Sequence, residues 1–185
     1  HRLSRRAAGP MVSVNMAAVS AELAPAALFG TARGAFTGAQ NRRAGRFEQA
    51  NGGTLMLDEI GDMPAELPTR MLRVRAAGEF YPVGAHAPKK VDVRIIAATH
   101  QDLEQRVRDG AFREDLFHRL NVIRIQLPAL RQRREDVPLL MDYFLQRAAR
   151  ELEVETKSLA SDTTTLLVQL DWPGNVRQLE NLCRW

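Results

Sequence analysis

A chain of 185 residues, 45% hydrophobic and 26% charged, has enough apolar material for one domain, or one domain with a small appendage. No run approaches the roughly 18 apolar residues that a membrane helix needs. No apolar stretch follows His1–Arg6, so no secretory signal is expected. The single cysteine, Cys183, excludes an intramolecular disulfide framework and a cysteine-built metal site, and it suits a reducing compartment. The net charge of +4 is concentrated in residues 1–50, which hold seven Lys/Arg against two Asp/Glu. Such a patch is either a solvated surface or a phosphate or nucleic-acid contact. The four histidines, His1, His86, His100 and His118, lack metal-ligand spacing.

In chain order, the alternation in Met11–Asn15 predicts a short strand, and residues 20–29 an amphipathic helix. Gly30–Gly45 reads as a loop with a special tip. Arg46–Ala50 reads as a helical turn stopped by Asn51-Gly52-Gly53, and Thr54–Leu57 as an apolar strand. Pro64 opens a helix through about Ala77, with Leu67, Met71, Leu72 and Val74 as its apolar stripe. Gly78–Lys90 reads as a hairpin or excursion, and Val91–Ala98 as a strand whose apolar run suits a buried parallel sheet. Helices are expected over Asp102–Arg108 and Glu114–Leu120, then a strand over Val122–Ile125 and a long helix from Arg134 to about Glu153. Two further helices, 162–170 and 175–185, are split by Asp171-Trp172-Pro173-Gly174. Strands alternating with helices argue for an α/β unit with a mostly parallel sheet, followed by an all-helical appendage.

Two stretches carry chemistry. In open α/β sheets ligands bind at the carboxyl ends of strands. Asp58 and Glu59 follow Thr54–Leu57 there, where one carboxylate can serve a metal and the other a water attacking a phosphoryl group. An acidic cap for the next segment fits the same residues. In Gly34-Ala35-Phe36-Thr37-Gly38-Ala39 two glycines permit tight bends around an aromatic and a hydroxyl. Such a tip either folds its Phe into the core or presents Phe36 and Thr37 to a partner.

Residues 34–39 reproduce the GAFTGA loop of sigma-54-dependent transcriptional activators, bacterial enhancer-binding proteins of the AAA+ class. Gly45–Ile60 resembles that family's Walker B segment, and Trp172–Asn181 its C-terminal signature. Val91–His100 and Phe112–Asn121 are similar to its nitrogen-regulating response regulators. The resemblance implies an AAA+ P-loop NTPase-type α/β subdomain over 1–130, with the Walker B strand at 54–59, and a helical lid over 131–185. It implies an ATP-driven, self-associating ring that remodels RNA polymerase holding sigma-54 in the cytoplasm, with no membrane contact and DNA reached only through another domain. Asp58 would hold Mg²⁺ and Glu59 would polarise the attacking water. Asn15 would restrain that glutamate, and Thr99 would be the sensor at the tip of its strand. Arg113 and Arg119 would be arginine fingers toward a neighbour's ATP, and Arg177 the second sensor. Gly34, Ala35, Phe36, Thr37, Gly38 and Ala39 would touch sigma-54.

The sequence also departs from the family pattern. A phosphate-binding loop G-x-x-x-x-G-K-[ST] does not occur, and none of the three lysines follows a glycine. The expectation is an internal piece of a longer regulator, beginning after that loop's strand and clipped within its last helix. Such a piece would not hydrolyse ATP alone, and a non-enzymatic module that contacts sigma-54 or other subunits is the alternative. Ala27, Thr31-Ala32 and Arg75 also differ from the residues usual in the family.

Overall fold

A computed structural model describes residues 1–35, 41–64 and 66–184. The chain divides into two compact units, His1–Ile123 and Arg124–Trp185. In the first, strands β1 (Met11–Asn15), β2 (Thr54–Asp58) and β5 (Arg94–Ala97) form a parallel sheet in the order β1-β2-β5. The register sets Asn15 beside Asp58 and Leu57 beside Ala97, so the carboxyl ends of all three strands lie level. Helices α1 (Ala24–Phe29) and α2 (Arg46–Gln49) lie between β1 and β2 in sequence. Helix α3 (Leu67–Ala77) and a small antiparallel hairpin, β3 (Glu79–Phe80) with β4 (Lys89–Lys90), lie between β2 and β5. Helices α4 (Leu103–Arg108) and α5 (Glu114–Leu120) follow.

The middle strand explains the core. Thr54, Leu55 and Leu57 are buried, and Val14, Phe47, Ile60, Leu67 and Met71 pack around them. The rings of Phe29 and Phe47 stack at 5.3 Å between centroids, and Phe80 closes the trio at 5.8 and 6.1 Å. This trio ties α1, α2 and the hairpin together, with aromatic pairs each worth about 0.5–1.5 kcal/mol beyond area burial. The turn ahead of β2 approaches its neighbour so closely that any side chain at Gly53 would strike the Pro10 backbone.

Three expectations are corrected. Val91–Val93 is not part of β5, because its backbone serves turns instead. The Val91 amide donates to Gly78 O, and Asp92 exchanges bonds with Gly52 and with the Asn51 side chain. Ile95–Ala98 reads as an interior strand, yet among the described residues β5 is an edge of the sheet and Ile96 is exposed. Val122–Ile125 forms no strand. No neighbouring backbone takes up a ladder there, and Val122, Ile123, Ile125 and Leu127 are 68%, 75%, 78% and 85% exposed.

The second unit packs α6 (Asp136–Leu152), α7 (Ser161–Gln169) and α8 (Asn175–Cys183) around Leu130, Val137, Met141, Phe144, Leu167, Trp172 and Leu179. The buried Trp172 indole donates to Leu167 O at 2.9 Å, and Asn175 Oδ1 accepts from the Leu130 amide at 2.9 Å. Burial pushes the Cys183 thiol up, away from reactivity.

The loop between α1 and α2 is anchored at its base. Thr31 and Arg43 exchange backbone hydrogen bonds at 3.0 and 3.1 Å, and Val83 joins through Ala32 and Gly30, both at 2.9 Å. Glu48 then gathers Arg42, on one flank of the loop, and Lys89 of the hairpin. Burial raises the Glu48 pKa, but hydrogen bonds and charge from Lys89 and Arg42 outweigh it, leaving the carboxyl below its ordinary value. A depressed carboxyl stabilises the fold above its unfolded value of 4.5 and loses that contribution as pH falls through the folded value. Glu48→Gln should therefore lower stability at pH 7 by up to about 1 kcal/mol, since the site is partly solvated. Thermal melts should show the difference from the parent chain shrinking below pH 4.5.

Candidate functional site

β2 delivers its two carboxylates through an abrupt corner. Asp58 is the last residue of the strand, and its Oδ1 accepts from the Glu59 amide at 3.1 Å. Glu59 then adopts the left-handed region, φ 52° and ψ 49°, which costs a residue with a side chain roughly 1–3 kcal/mol. The turn lets the chain leave the sheet as a short 3-10 segment, Ile60–Asp62.

What holds the corner is the chain just beyond β5. The Ala98 amide donates to Leu57 O at 2.9 Å, and the Ile60 amide donates to Ala98 O at 3.0 Å. The pairing of β2 with β5 thus continues one step past both strand ends. His100 Nδ1 lies 2.7 Å from Glu59 Oε2, and Gln101 Nε2 donates to Asp62 Oδ1 at 2.7 Å. Thr99 Oγ1 accepts from the Gln101 amide at 3.1 Å, which curls the segment back toward Gly61. Gly61 is in contact with this clamp: a methyl group on it would lie 2.5 Å from Gln101 Oε1 and 3.2 Å from Thr99 Oγ1. Arg106 of α4 also reaches Gln101 Oε1, so one amide side chain links the corner to the next helix.

The expected site residues divide into groups. Asn15, Asp58, Glu59 and Thr99 meet at the carboxyl end of the sheet. Asn15 Oδ1 accepts from the Ala17 amide at 2.9 Å, and the hydrogen-bond partner of Glu59 is His100. Arg113 precedes α5, where its guanidinium grips Asp115 through two bonds of 3.0 and 2.6 Å and reaches Thr69 Oγ1 of α3 at 3.3 Å. Those bonds hold the Asp115 carboxyl below its usual range. Arg119 is exposed on α5. Arg177 is exposed on α8 in the second unit. Gly34 and Ala35 sit in a turn, with Ala35 close to Gly84 of the hairpin region. Phe36, Thr37, Gly38 and Ala39 lie outside the described residues.

Two residues of the corner, His100 and Gln101, carried no role in the sequence reading. Their signal was the polar run Thr99-His100-Gln101-Asp102 directly after an apolar strand. Only the parallel register of Leu57 with Ala97 reveals what that run faces.

The donor set suits a hard cation only in part. Asp58 and Glu59 are half-exposed oxygen donors at a strand end, and no group of three or more metal-ligating side chains occurs among the described residues. Magnesium is commonly held by one or two carboxylates, with substrate phosphates and water completing its shell. The corner supplies such a carboxylate share.

Gly61→Ala should force the Gln101 side chain off Asp62 and destabilise the first unit by about 1 kcal/mol, the low end of overpacking costs. In a double-mutant cycle with Gln101→Ala, denaturant melts should show the Gly61→Ala cost falling once the obstructing side chain is gone. Strict additivity would place the strain elsewhere.

Comparison with known proteins agrees with this architecture. The sigma-54 interaction domain matches residues 1–126, and the AAA+ ATPase lid domain matches residues 131–185. The DNA-binding transcriptional regulator NtrC of Salmonella typhimurium is 66% identical over all 185 residues, and NtrC of Azospirillum brasilense is 55% identical over 184. The chain spans 39% and 38% of the length of those two curated relatives. The crystal structure of NtrX from Brucella abortus in complex with ADP superposes with a TM-score of 0.91 at 42% identity, covering 100% of this chain and 40% of that one. A closed-state reconstruction of Hsp104 shares the fold with a TM-score of 0.66 at 18% identity, covering 93% of this chain and 34% of that one. No helix among the described residues is long and apolar enough to cross a membrane. With a parallel sheet that ends in paired carboxylates, a GAFTGA sequence between α1 and α2, and these matches along its length, the chain belongs to the sigma-54 interaction domain family of AAA+ proteins.

Proposed function

We propose that this chain is the ATPase segment of a cytoplasmic activator of nitrogen-regulated transcription, which in a ring of subunits spends ATP hydrolysis on remodelling RNA polymerase that carries sigma-54. The observation that supports this reading best is the Asp58–Glu59 corner, which lies beside Asn15 of β1 by register and near Thr99 beyond β5. Asp58 would hold Mg²⁺, which when bound neutralises charge on the transferring phosphoryl oxygens. Glu59, set on its left-handed backbone just past the strand end, orients the water and takes its proton. Thr99 lies beside the same corner and reports on it through the backbone of the following turn.

Arg113 and Arg119 serve a neighbouring subunit's nucleotide in this reading. An arginine supplied in trans contributes about 10³–10⁵ in rate. The Arg113–Asp115 pair is solvent-exposed, so exchanging that carboxylate for a phosphate costs little. Arg177 of the helical lid contributes as the second sensor. The GAFTGA loop delivers the motion: residues 34–39 contact sigma-54, and the hydrogen-bonded base at Thr31, Arg43 and Val83 transmits strain to them. DNA is contacted only through a part of the protein other than these 185 residues.

A glycine-rich loop with its phosphate-binding lysine does not occur in these 185 residues, so the chain alone neither binds ATP tightly nor hydrolyses it. Isothermal titration should detect no micromolar binding of Mg·ATP to the purified chain; micromolar affinity would overturn this. Mixed with a full-length NtrC, the chain should alter phosphate release in proportion to its concentration, and Arg113→Ala should abolish any stimulation. A release rate indifferent to the chain would instead favour an inert fragment.

A further inference from the structure

Glu59 makes its side-chain hydrogen bond to His100, a residue that carries no assigned role. The imidazole Nδ1 lies 2.7 Å from Glu59 Oε2. A carboxylate only accepts, so Nδ1 carries the shared hydrogen. His100 is 71% exposed and the Glu59 side chain 26%, so water competes freely for the imidazole and much less for the carboxylate. The contact therefore orients the glutamate more than it stabilises the fold.

The placement of His100 is built by backbone, not by chance encounter of two long side chains. Ala98 is pinned on both sides, its amide to Leu57 O and its carbonyl to the Ile60 amide. Gln101 is fixed to Asp62 and to its own turn at Thr99. His100 lies between these anchors, two residues past Ala98 and one before Gln101. The left-handed backbone at Glu59 then turns its side chain toward the same segment. One carboxylate oxygen is occupied by His100, which leaves Oε1 as the acceptor available to a water. Asn15 contributes nothing to this in the present arrangement, since its side-chain oxygen caps the Ala17 amide.

We infer that His100 is a positioning residue for Glu59: its Nδ1–H fixes the rotamer of the carboxylate so that one oxygen is held and the other faces water. This rests on the reading of Asp58–Glu59 as the hydrolytic corner, but its test does not need nucleotide or metal. No change of charge is invoked, because the neutral imidazole donates from Nδ1 as well as the cation does.

The test is side-chain NMR on this chain at about pH 9, above the ordinary imidazole range. In the parent chain the ring nitrogens of His100 should show the proton on Nδ1. In Glu59→Ala it should move to Nε2, the tautomer usual in water, whereas Asn15→Ala should leave it on Nδ1. Three-bond couplings should place Glu59 in one rotamer in the parent. They should show averaging in His100→Ala and a single rotamer again in His100→Asn, whose amide offers a donor near the Nδ1 position. Backbone amide spectra of each variant check that the fold is retained. An Nε2 proton in the parent, or a Glu59 rotamer that stays fixed in His100→Ala, overturns the inference. Failure of the mixing experiment with these spectra intact would instead sink the hydrolytic reading and leave the contact standing.

Discussion

The site depends on hydrogen bonds that continue a parallel strand pairing beyond its strands. β2 and β5 stop at Asp58 and Ala97, yet Ala98 still bonds Leu57 behind it and Ile60 ahead of it. Between those two bonds the chain must pass Asp58 and Glu59 through a sharp corner, which it does by placing Glu59 in a left-handed conformation. Without the pairing nothing would compensate that backbone cost, and the two carboxylates would swing freely at a frayed strand end. With it, Thr99, His100 and Gln101 are brought to the corner and fixed there by their own hydrogen bonds, while the β1–β2 register sets Asn15 beside Asp58. Chemistry at the carboxyl end of a parallel sheet is common because neighbouring strands end together there, and this chain shows the device in its smallest form, three strands of four or five residues.

A second assembly controls the segment that carries the family's hallmark loop. The aromatic trio Phe29, Phe47 and Phe80 joins the helix before the loop, the helix after it and the hairpin. Backbone bonds at Thr31, Arg43 and Val83 close the base, and Glu48 bridges Arg42 to Lys89 on its outside. Both the loop base and the carboxylate corner are tied to the α3–hairpin–β5 stretch, one through Val83 and Lys89 and the other through Ala98 and His100.

Much of this was legible in the residues. The strand before Asp58 and the short helices over Asp102–Arg108 and Glu114–Leu120 are read from the residues, and the structure has them there. The family was legible from residues 34–39, 45–60 and 172–181. What could not be read was anything set by pairing across the sheet. Val91–Ala98 and Val122–Ile125 have strand composition, but a strand exists only where a neighbour accepts its backbone, and composition is silent on neighbours. His100 escaped notice for the same reason: its importance lies in facing Glu59, forty-one residues earlier. Trp172-Pro173-Gly174-Asn175 reads as the break between two helices and part of the family's C-terminal signature, and in the second unit it is a structural knot of a buried indole and an asparagine side chain.

Backbone pairing past the strand ends holds the carboxylate corner. Amide hydrogen exchange on the intact chain tests it most directly. The account predicts that the amides of Ile60 and Ala98 exchange as slowly as those of Leu55 and Leu57 inside β2, because the same ladder protects them. Exchange of Ile60 and Ala98 at the rate of unprotected loop amides, with the β2 amides still slow, would contradict it.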